Sequence, residues 1–413
     1  MSVKDRGASG SARVLIYSHD TFGLGHLRRC RAIAHALVEH NKDISVLIIT
    51  GSPIIGSFDF RARVDFVRVP GVIKLRNGDY TSLSLHIDTQ QTLAMRSSII
   101  HHVAEIFDPD LFIVDKEPLG LRGEVEESLH LLKARGTPLI LGLRDVMDEP
   151  SLLAPEWKRK NVLPALRDLY DEIWVYGLPQ ICDPLAGIEL PRSVRRKMTY
   201  TGYLRRSLPQ SAAQQPAPLQ KISEPFLLVT TGGGGDGDGI IDWVLRAYET
   251  DRTLPLPALL VLGPFMQSER QAEFVARAAK LRKVEAITFD AQLEQLMARS
   301  AGIVAMGGYN TFCEILSFDR RALIVPRTRP RMEQAIRAAR AQELGLAQML
   351  PEDGPHDPRV MATALRQLPQ QRRPSQVVVP GLLDGLANVN RLVDHWLARG
   401  RQPQLRLATR KSR

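Results

Sequence analysis

Short runs of β-branched and aliphatic residues alternate with helical stretches through most of the chain. In the first half the runs are RVLIY, ISVLII, VDFVRV, LFIV, LILGL and IWVY, and in the second half they are FLLVT, ALLVL, AITF, GIVA and ALIV. Strands that are separated by helices are typical of parallel sheets with helices on both faces. The pattern therefore predicts an α/β protein made of two doubly wound, Rossmann-like halves.

One polar segment interrupts this alternation. Residues 206–225 are rich in Pro, Gln, Ser and Ala and have no apolar period, which is typical of a linker. Near the end of the chain, DGLANVNRLVDHWLA has an apolar stripe at helical spacing. We predict an N-terminal domain over residues 1–205, a linker over 206–225, a C-terminal domain over 226–380, a closing helix over 381–400 that packs back on the first domain, and a basic tail over 401–413.

The net charge of +10 raises the question of a nucleic-acid partner. Half of the excess lies in residues 401–413, which carry five basic side chains and no acidic one, so we predict no specific nucleic-acid site. This tail either contacts an anionic lipid or polyanion or is a solvated terminus. Because the sequence has no long apolar run, no apolar leader and only three scattered cysteines, we expect a cytoplasmic protein, with peripheral membrane contact through the tail left open.

The first glycine turn follows RVLIY and precedes a helical segment. Gly23 and Gly25 allow main-chain N–H groups to approach a ligand, and a helix N-terminus favours an anion. Arg28 stands where the dinucleotide fingerprint needs its third glycine. The dipole of the helix would keep the imidazole of His26 neutral and able to accept a proton. His26 is therefore our first candidate for a general base, with helix capping as the alternative.

The second glycine loop, TTGGGGDGDG, also lies between a strand and a helix. The next strand ends in Gly263 and lacks the acidic residue that would bind an adenosine ribose, which argues against a nicotinamide cofactor. No Lys-Ser or Lys-Thr pair follows the glycines, so a P-loop is not supported. Asp236 and Asp238 are more typical of helix caps than of a metal site, and we predict neither cofactor nor metal. The amides that suit a diphosphate are those of Gly232, Gly233 and Gly234.

The third glycine turn is the most specific segment. Gly307 and Gly308 follow the strand GIVA and open a helix. Thr311 and Glu314 lie three residues apart, on a face of that helix that points toward the turn. A carboxylate in this place can accept hydrogen bonds from both hydroxyls of a ribose. The alternative is that Glu314 is a solvated helix residue.

Glu333 and Gln334 begin the helix that follows the next strand. They add polar side chains beside the carboxyl ends of the predicted strands, where open parallel sheets bind ligands. An ordinary surface pair between Glu333 and Arg337, four residues apart, is the alternative.

Acidic residues also follow two strands of the first half. Asp115 and Glu117 come after LFIV, and Asp145 and Asp148 come after LILGL. Their position at strand ends suggests an acceptor site, and Asp115 and Asp145 are further candidates for the base. Arg144 beside them could receive an anionic or hydroxylated acceptor. Each acid could instead be a cap or a partner in a loop salt bridge.

Two of these motifs resemble a known family. The run GGYNTFCE over residues 307–314, followed by Glu333-Gln334 and Arg337, resembles the donor-binding signature of GT-B glycosyltransferases of the MurG-like group. The first turn, with His26 in GHLRRC, is similar to the first glycine loop of those enzymes. It is more closely similar to the GHxxRC loop of the UDP-sugar hydrolase of pseudaminic acid synthesis. The resemblance covers the whole domain layout.

This resemblance implies a GT-B fold with an interdomain cleft and a function in cell-envelope polysaccharide biosynthesis. It implies a nucleotide-sugar donor, most often a UDP-sugar, a carbohydrate or lipid-linked acceptor, and inverting catalysis without a metal. In the family the residue that matches Glu314 holds the ribose, those that match Glu333 and Gln334 contact the sugar, and the glycine loops face the diphosphate. The predicted donor-binding residues are Gly25, Gly232, Gly233, Gly234, Gly307, Gly308, Asn310, Thr311, Glu314, Glu333 and Gln334. Glu333 and Arg337 stand where MurG members have Gln and Asn, which leaves the sugar open.

Three hypotheses for the function follow. The first is a hexosyltransferase that moves a sugar from a UDP-sugar to an acceptor hydroxyl. The second keeps the fold and uses water as the acceptor, which would make the protein a UDP-sugar hydrolase. The third is a non-catalytic nucleotide-sugar-binding protein that acts through its basic tail.

Overall fold

The strands of the protein are short and most are buried. Its computed structural model describes residues 11–19, 25–74, 80–208, 222–233, 235–290 and 292–401. The strands in these residues are β1 (Ala12–Ser18), β2 (Ile44–Thr50), β3 (Val64–Arg68), β4 (Val72–Lys74), β5 (Tyr80–Ser82), β6 (Leu111–Asp115), β7 (Leu139–Arg144), β8 (Glu172–Tyr176), β9 (Met198–Tyr200), β10 (Leu227–Thr230), β11 (Ala258–Val261), β12 (Val284–Ile287), β13 (Gly302–Ala305), β14 (Ala322–Ile324) and β15 (Gln348–Met349).

Helices connect these strands. They are α1 (Gly25–His40), α2 (Thr89–Phe107), α3 (Glu126–Ala134), α4 (Pro150–Arg159), α5 (Arg192–Arg195), α6 (Asp238–Thr250), α7 (Ser268–Ala279), α8 (Leu293–Arg299), α9 (Tyr309–Ser317), α10 (Glu333–Glu343), α11 (Pro358–Gln367) and α12 (Gly385–Arg401). Short 3-10 turns lie at Ile55–Ser57, Leu121–Gly123, Leu368–Gln370 and Pro374–Gln376, and one π turn lies at Ala165–Leu169. None of the helices in the described ranges is long and apolar enough to cross a membrane.

Two parallel sheets organise the chain. The N-terminal sheet has the strand order β3-β2-β1-β6-β7-β8-β9, and the C-terminal sheet has the order β12-β11-β10-β13-β14-β15. All of their pairings are parallel, for example Val14 with Val46 and Leu111, and Leu228 with Leu259 and Ile303. The predicted α/β class with two Rossmann-like halves is confirmed. In each sheet the strand order reverses beside the first strand, and ligands bind at the carboxyl ends of the strands at such a point.

Apolar packing joins the two sheets. One buried cluster includes Cys30 and Ile33 of α1, Phe312 of α9, and Val389 and Val393 of α12. The other two clusters each lie within one half of the chain and cover the other face of its sheet. Helix α12 contacts α1 and β6, so the end of the described chain returns to the N-terminal sheet. The packing of α1 and α9 in one cluster brings the N-termini of both helices to the space between the sheets.

Candidate functional site

A cavity of about 190 Å³ opens at the carboxyl ends of β10, β13 and β14. Its walls come from the second and third glycine turns, from Arg327 and from the start of α10. The lining residues are Thr230, Thr231, Gly232, Gly233, Asp236, Met306, Gly307, Gly308, Thr311, Arg327 and Gln334. Six of the predicted donor-binding residues therefore face one space: Gly232, Gly233, Gly307, Gly308, Thr311 and Gln334. We call it the donor cavity.

The backbone of the donor cavity requires glycine at one turn. Gly307 has φ +78°, and a Cβ atom there would lie 2.6 Å from Cγ2 of Ile324. Gly232 also has a positive φ of +68°, and Gly234 lies outside the described residues. Helix α9 begins directly after Gly308, so its unpaired N–H groups and the positive end of its dipole face the cavity. The cavity therefore suits a phosphate or diphosphate group.

The wall of the donor cavity that Arg327 and the start of α10 form is polar, and some of its hydrogen-bonding atoms have no partner among the described residues. Arg327 forms ion pairs with Asp236 and with Glu333, the latter at 2.9 Å. Its main-chain N–H donates to Oε1 of Gln334 at 3.2 Å. Buried Glu333 uses one carboxylate oxygen on Arg327, while its Oε2 atom and the Nε atom of Arg327 have no hydrogen-bond partner among the residues that the structure describes. Burial raises the pKa of Glu333, but Arg144 and Arg327 outweigh burial and bring the pKa below its ordinary value. An ionised acceptor and an arginine donor beside the cavity thus lack partners within the described part of the chain.

The first glycine turn supplies a histidine–carboxylate pair. Nδ1 of His26, in the first turn of α1, lies 2.5 Å from Oδ2 of Asp115 at the end of β6. Arg29, one helical turn after His26, donates to both oxygens of Asp115 at 2.8 and 2.7 Å. Burial raises the pKa of Asp115, but Arg29 and His26 outweigh burial and hold the pKa well below its ordinary value. Asp115 is therefore ionised and accepts a hydrogen bond from the Nδ1–H group of His26, because two acceptors at 2.5 Å would repel each other.

This pairing leaves Nε2 of His26 as the basic nitrogen. Burial lowers the pKa of His26 to about 4, although Asp115 opposes this shift. The ring is therefore neutral at ordinary pH, with its proton on Nδ1 and a lone pair on Nε2. The side chain of His26 is 20% exposed, so that it remains open to a ligand while Asp115 is buried. His26 and Asp115, two separate candidates for the base, form one unit.

Asp145, the third candidate for the base, is placed differently. Its side chain is fully buried, and Arg337 of α10 donates to both of its oxygens at 2.7 Å. The hydroxyl of Tyr203 donates to Oδ2 as well, at 2.6 Å. Because its acceptor capacity is used and it has no exposed surface, Asp145 cannot take a proton from a substrate in this arrangement. Arg337, for which a surface pair with Glu333 was the alternative, instead joins the two halves of the chain through Asp145.

Glu314, the predicted ribose ligand, does not line the donor cavity. It is 1% exposed and forms an ion pair with Arg28 of α1, which also pairs with Glu294 at 2.5 Å. Burial raises the pKa of Glu314, although Arg28 opposes the shift. Thr311 and Glu314 share a face of α9, as their spacing predicts, but α1 covers the outer part of that face. A ribose would have to displace Arg28 in order to reach this carboxylate.

Asn310 and Gly25 connect the two halves of the chain at the edge of the donor cavity. The side-chain amide of Asn310 donates to the carbonyl oxygen of Gly25 at 3.0 Å and accepts from Arg206 at 2.8 Å. Neither Gly25 nor Asn310 lines the donor cavity. Gly25 directly precedes His26, and Asn310 directly precedes Thr311 of the cavity wall. The hydrogen bond between Gly25 and Asn310 therefore brings His26 close to the cavity. The dyad of His26 and Asp115 and the donor cavity therefore belong to one site.

Further polar contacts beside this site join the two halves of the chain. Arg331 pairs with Asp148 at 3.2 Å and with Glu156 at 3.0 Å, and the main-chain N–H of Met332 donates to Asp148 at 2.9 Å. Asp148, predicted near the acceptor, is therefore engaged by the C-terminal half. Glu117 pairs with Lys160 at 2.8 Å.

Three basic residues of the site were not recognised for their roles from the sequence. Arg29 orients Asp115, Arg28 covers Glu314, and Lys116 follows Asp115 in a left-handed conformation with φ +69°. Burial lowers the pKa of Lys116 to about 8. The spacing of His26 and Arg29 by one helical turn was a usable signal for the first role, because such residues share a face. The role of Arg28 depends on the contact between the domains.

No group of three or more His, Cys, Asp or Glu residues in the described part of the chain could hold a metal ion. Asp236 pairs with Arg327, and Asp238 pairs with Arg270 at 3.2 Å. Both aspartates of the second glycine loop are thus engaged by arginines.

The fold can be compared with known proteins. No protein-family model matches the chain, and no curated protein matches it in sequence. Its structure is similar to that of the calicheamicin glycosyltransferase CalG4, with a TM-score of 0.59 and 15% identity over 95% of this chain and 100% of that one. It is also similar to MurG of Acinetobacter baumannii, with a TM-score of 0.57 and 12% identity over 93% and 99% of the two chains. The chain has the GT-B fold.

A third GT-B structure carries a donor. UGT71G1 of Medicago truncatula, complexed with UDP-glucose, has a TM-score of 0.59 and 14% identity over 94% of this chain and 98% of that one. The predicted likeness to GT-B glycosyltransferases, MurG among them, is confirmed for the fold. The finer likeness of the GHLRRC turn to a sugar hydrolase stays a prediction, and Gly23 of that turn lies outside the described residues.

Proposed function

We propose that this protein with the GT-B fold is a glycosyltransferase. It would move a hexose from a nucleotide-sugar donor, with a UDP-sugar as the first choice, to the hydroxyl group of an acceptor. The observation that carries the proposal is the dyad of His26 and Asp115 at the edge of the donor cavity. A neutral imidazole oriented by an ionised carboxylate is suited to accept a proton from a hydroxyl. The solved structures with the same fold include named glycosyltransferases, which supports transfer over simple binding.

The donor would lie along the C-terminal half. Its diphosphate fits the amides of Gly232 and Gly233 and the N-terminus of α9, with Arg327 adding positive charge. Its sugar would then approach Gln334 and the unpartnered Oε2 atom of Glu333, which can accept hydrogen bonds from sugar hydroxyls. Its ribose would replace Arg28 at Glu314. The bound UDP-glucose of UGT71G1 makes a UDP-sugar the first donor to test.

The chemistry is a single displacement at the anomeric carbon. Nε2 of His26 takes the proton of the acceptor hydroxyl. At the same time the oxygen of that hydroxyl bonds to the anomeric carbon from the face opposite the diphosphate. The bond from that carbon to the diphosphate oxygen breaks, and its electron pair leaves with the nucleoside diphosphate, so the configuration inverts. Asp115 stabilises the imidazolium, and the glycine-loop amides and Arg327 stabilise the departing oxygens without a metal. General-base help of this kind contributes roughly 10²- to 10⁴-fold to the rate.

The acceptor would approach from the N-terminal half. We propose a carbohydrate or lipid-linked hydroxyl, in keeping with polysaccharide synthesis at the cell envelope. Lys116 and Arg144 lie at the ends of β6 and β7 near His26, where polar or anionic groups of an acceptor could contact them. The proposed contact of the basic tail with a membrane rests on residues 402–413, which lie outside the described residues.

His26→Ala tests the proposal directly. With a panel of UDP-sugars and crude acceptor extracts, we expect UDP release by the parent and a loss of about 10²-fold or more in the variant. UDP binding, measured by calorimetry, should be retained, because His26 is outside the donor cavity. His130→Ala, at an exposed histidine of α3, is the matched control and should behave as the parent. Equal turnover by His26→Ala would exclude His26 as the base.

The same assay separates transfer from hydrolysis. Release of free sugar in proportion to UDP, with no added acceptor, would support the hydrolase hypothesis. Sugar recovered on an acceptor supports transfer. Absence of UDP binding to folded protein would reject both.

A further inference from the structure

A second and larger cavity is lined in part by Arg28, the partner of Glu314. Its volume is about 420 Å³. It is bounded by one face of α1, by residues 59–61 before β3, by residues 205–208 after β9, and by the starts of α8 and α12. Both halves of the chain contribute to its walls, and it shares no lining residue with the donor cavity. We call it the hinge cavity.

The lining of the hinge cavity is strongly basic. Five arginines and one histidine face it, against Glu39, Asp59 and Glu294. The basic residues are Arg28, Arg31, His35, Arg61, Arg205 and Arg206. Arg28 is held by Glu294 and Glu314, and Arg61 is held by Glu39, so two acids of the lining are already paired.

Among the described residues, the remaining arginines have no carboxylate within ion-pair distance. Arg205 and Arg206 form no ion pair with any residue in the described ranges. Nη2 of Arg206 donates to Asn310, but its Nη1 atom is buried and has no hydrogen-bond partner in that part of the chain. Arg31 donates through Nε to the main-chain oxygen of Asp59 at 2.8 Å. A buried guanidinium nitrogen without a partner is costly, and an anionic ligand in the cavity would offset that cost.

The local electrostatics agree with an excess of positive charge. Burial lowers the pKa of His35 to about 4, and the neighbouring Arg31 and Arg61 lower it further. Burial also lowers the pKa of Arg31, with Arg28 and Arg61 adding to the effect against the attraction of Glu294 and Asp59. The neutral form of His35 thus follows first from burial, and the charges of Arg31 and Arg61 act in the same direction.

One part of the hinge cavity is apolar. Phe60, Leu208 and Leu386 line it together with small residues of α1. The guanidinium of Arg31 lies 5.9 Å from the centre of the Phe60 ring. Leu208 lines the cavity and is 44% exposed, so a ligand in the cavity could cover its side chain. A ligand with a charged end and an apolar end would satisfy both parts of the lining.

We propose that the hinge cavity binds a phosphate ester whose phosphate is held by Arg31, Arg205 and Arg206 and whose apolar group packs on Phe60, Leu208 and Leu386. Guanidinium groups bind phosphate oxygens through paired, charge-assisted hydrogen bonds, and several arginines around one space favour a multiply charged anion over a single carboxylate. The phosphate ester is either a lipid-type phosphate or a small soluble one, and the two sources share this chemistry.

Occupancy of the hinge cavity would act on the donor site. Arg206 bonds to Asn310, which in turn bonds to Gly25 beside the dyad of His26 and Asp115. The walls of the hinge cavity belong to both halves of the chain, so a bound phosphate would link them. The site is therefore placed to favour the closed arrangement of the two domains.

Calorimetry with two matched probes tests this proposal. Glycerol 3-phosphate and dioctanoyl phosphatidic acid carry the same phosphate, and only the second has acyl chains; both are titrated into full-length protein. We expect phosphatidic acid, kept below its micellar concentration, to bind at least about tenfold more tightly, because the chains add apolar contact. Equal affinities would reject the apolar part and identify a soluble ester as the source. Binding of neither probe would overturn the proposal.

Paired variants exclude non-specific attraction to a basic protein. Arg31→Gln combined with Arg205→Gln should weaken binding of phosphatidic acid by about tenfold or more. Arg252→Gln combined with Arg359→Gln removes the same charge from two exposed positions outside the cavity and should leave the affinity unchanged. Equal losses in the two double variants would show general electrostatic attraction and contradict a built site. The comparison remains valid if UDP does not bind, so failure of the proposed function and failure of this site are distinguishable.

Discussion

At the scale of single residues, the protonation of His26 determines when the proposed base can work. Its Nδ1 proton is held by ionised Asp115, and burial lowers the pKa of the ring to about 4. The neutral form, which alone can accept a proton, therefore predominates above pH 4. Below that pH the ring is protonated and the base is lost.

From about pH 5.5 upward, titration of His26 should not change the rate of UDP release. The rate should fall as the pH drops through about 4, because His26 then becomes protonated. The measurement is the pH dependence of kcat/KM, with tryptophan fluorescence at each pH to show that the protein remains folded. An acid limb near pH 6.5, the ordinary value for histidine, would contradict the buried and neutral ring.

Glu314 provides a second prediction at this scale. If ribose replaces Arg28 at this carboxylate, UDP should bind more tightly than 2′-deoxy-UDP to the parent protein. In Glu314→Ala the loss of an acceptor for charged hydrogen bonds should weaken UDP by about tenfold and remove the difference between the two nucleotides. Competition calorimetry measures both. A variant that still distinguishes the two nucleotides would place the ribose elsewhere.

The sequence predicts the relative placement of side chains that lie close together in the chain. The face shared by Thr311 and Glu314 follows from helical spacing, and it was predicted. What covers Glu314 was not predictable, because Arg28 is 286 residues away and belongs to the other half. Asp145 shows the same limit, since an acid at a strand end is equally compatible with a catalytic role and with its observed bond to Arg337.

At the scale of elements, the turn between β13 and α9 fixes the geometry of the donor cavity. Gly307 has φ +78°, and any Cβ atom there would meet Ile324 of β14. The turn thus brings the N-terminus of α9 to the cavity only with glycine at this position.

We expect Gly307→Ala to destabilise the fold by about 1–3 kcal/mol, from backbone strain and overpacking together. The shift of the α9 amides should also weaken UDP binding. Urea unfolding and calorimetry measure the two effects. Gly56→Ala is the matched control, because its Cβ would meet nothing within 4 Å and its φ is not positive. Similar losses in both variants would show that the turn is not special.

The periodicity of the sequence predicted the long elements and missed the short ones. Strands such as β1 and β10 are buried along almost their whole length, so their apolar runs are visible in the sequence. β4, β5, β9 and β15 have two or three residues each and, unlike the equally short β14, do not lie in an apolar run. β9 and β15 pair at the edges of the two sheets, and β4 and β5 pair with each other.

At the scale of the whole molecule, buried charge joins the two halves. Asp145 and Arg337 are both fully buried and bonded through two hydrogen bonds across the interface. Such a pair contributes little relative to apolar packing, but breaking it strands a charge.

Arg337→Met should therefore destabilise the protein by about 3–5 kcal/mol, because Asp145 stays buried without its cation. Combining it with Asp145→Asn should recover a large part of that loss, since the stranded charge is then removed. Denaturant unfolding of the parent, the two single variants and the double variant gives the coupling free energy. Additive losses would show that the two side chains do not act as a pair.

Helix α1 runs between the two halves and contacts both. Its first turn carries His26 and the carbonyl that binds Asn310, its second holds Glu314 through Arg28, and its last residue bonds to Asp394 of α12 at 2.7 Å. If the lobes part, the bonds from α1 to Asn310 and Glu314 break, and His26 moves away together with the N-terminal lobe. On the proposed function, water that enters the open, donor-loaded protein would then find no base, so the donor would not be hydrolysed until the lobes close again.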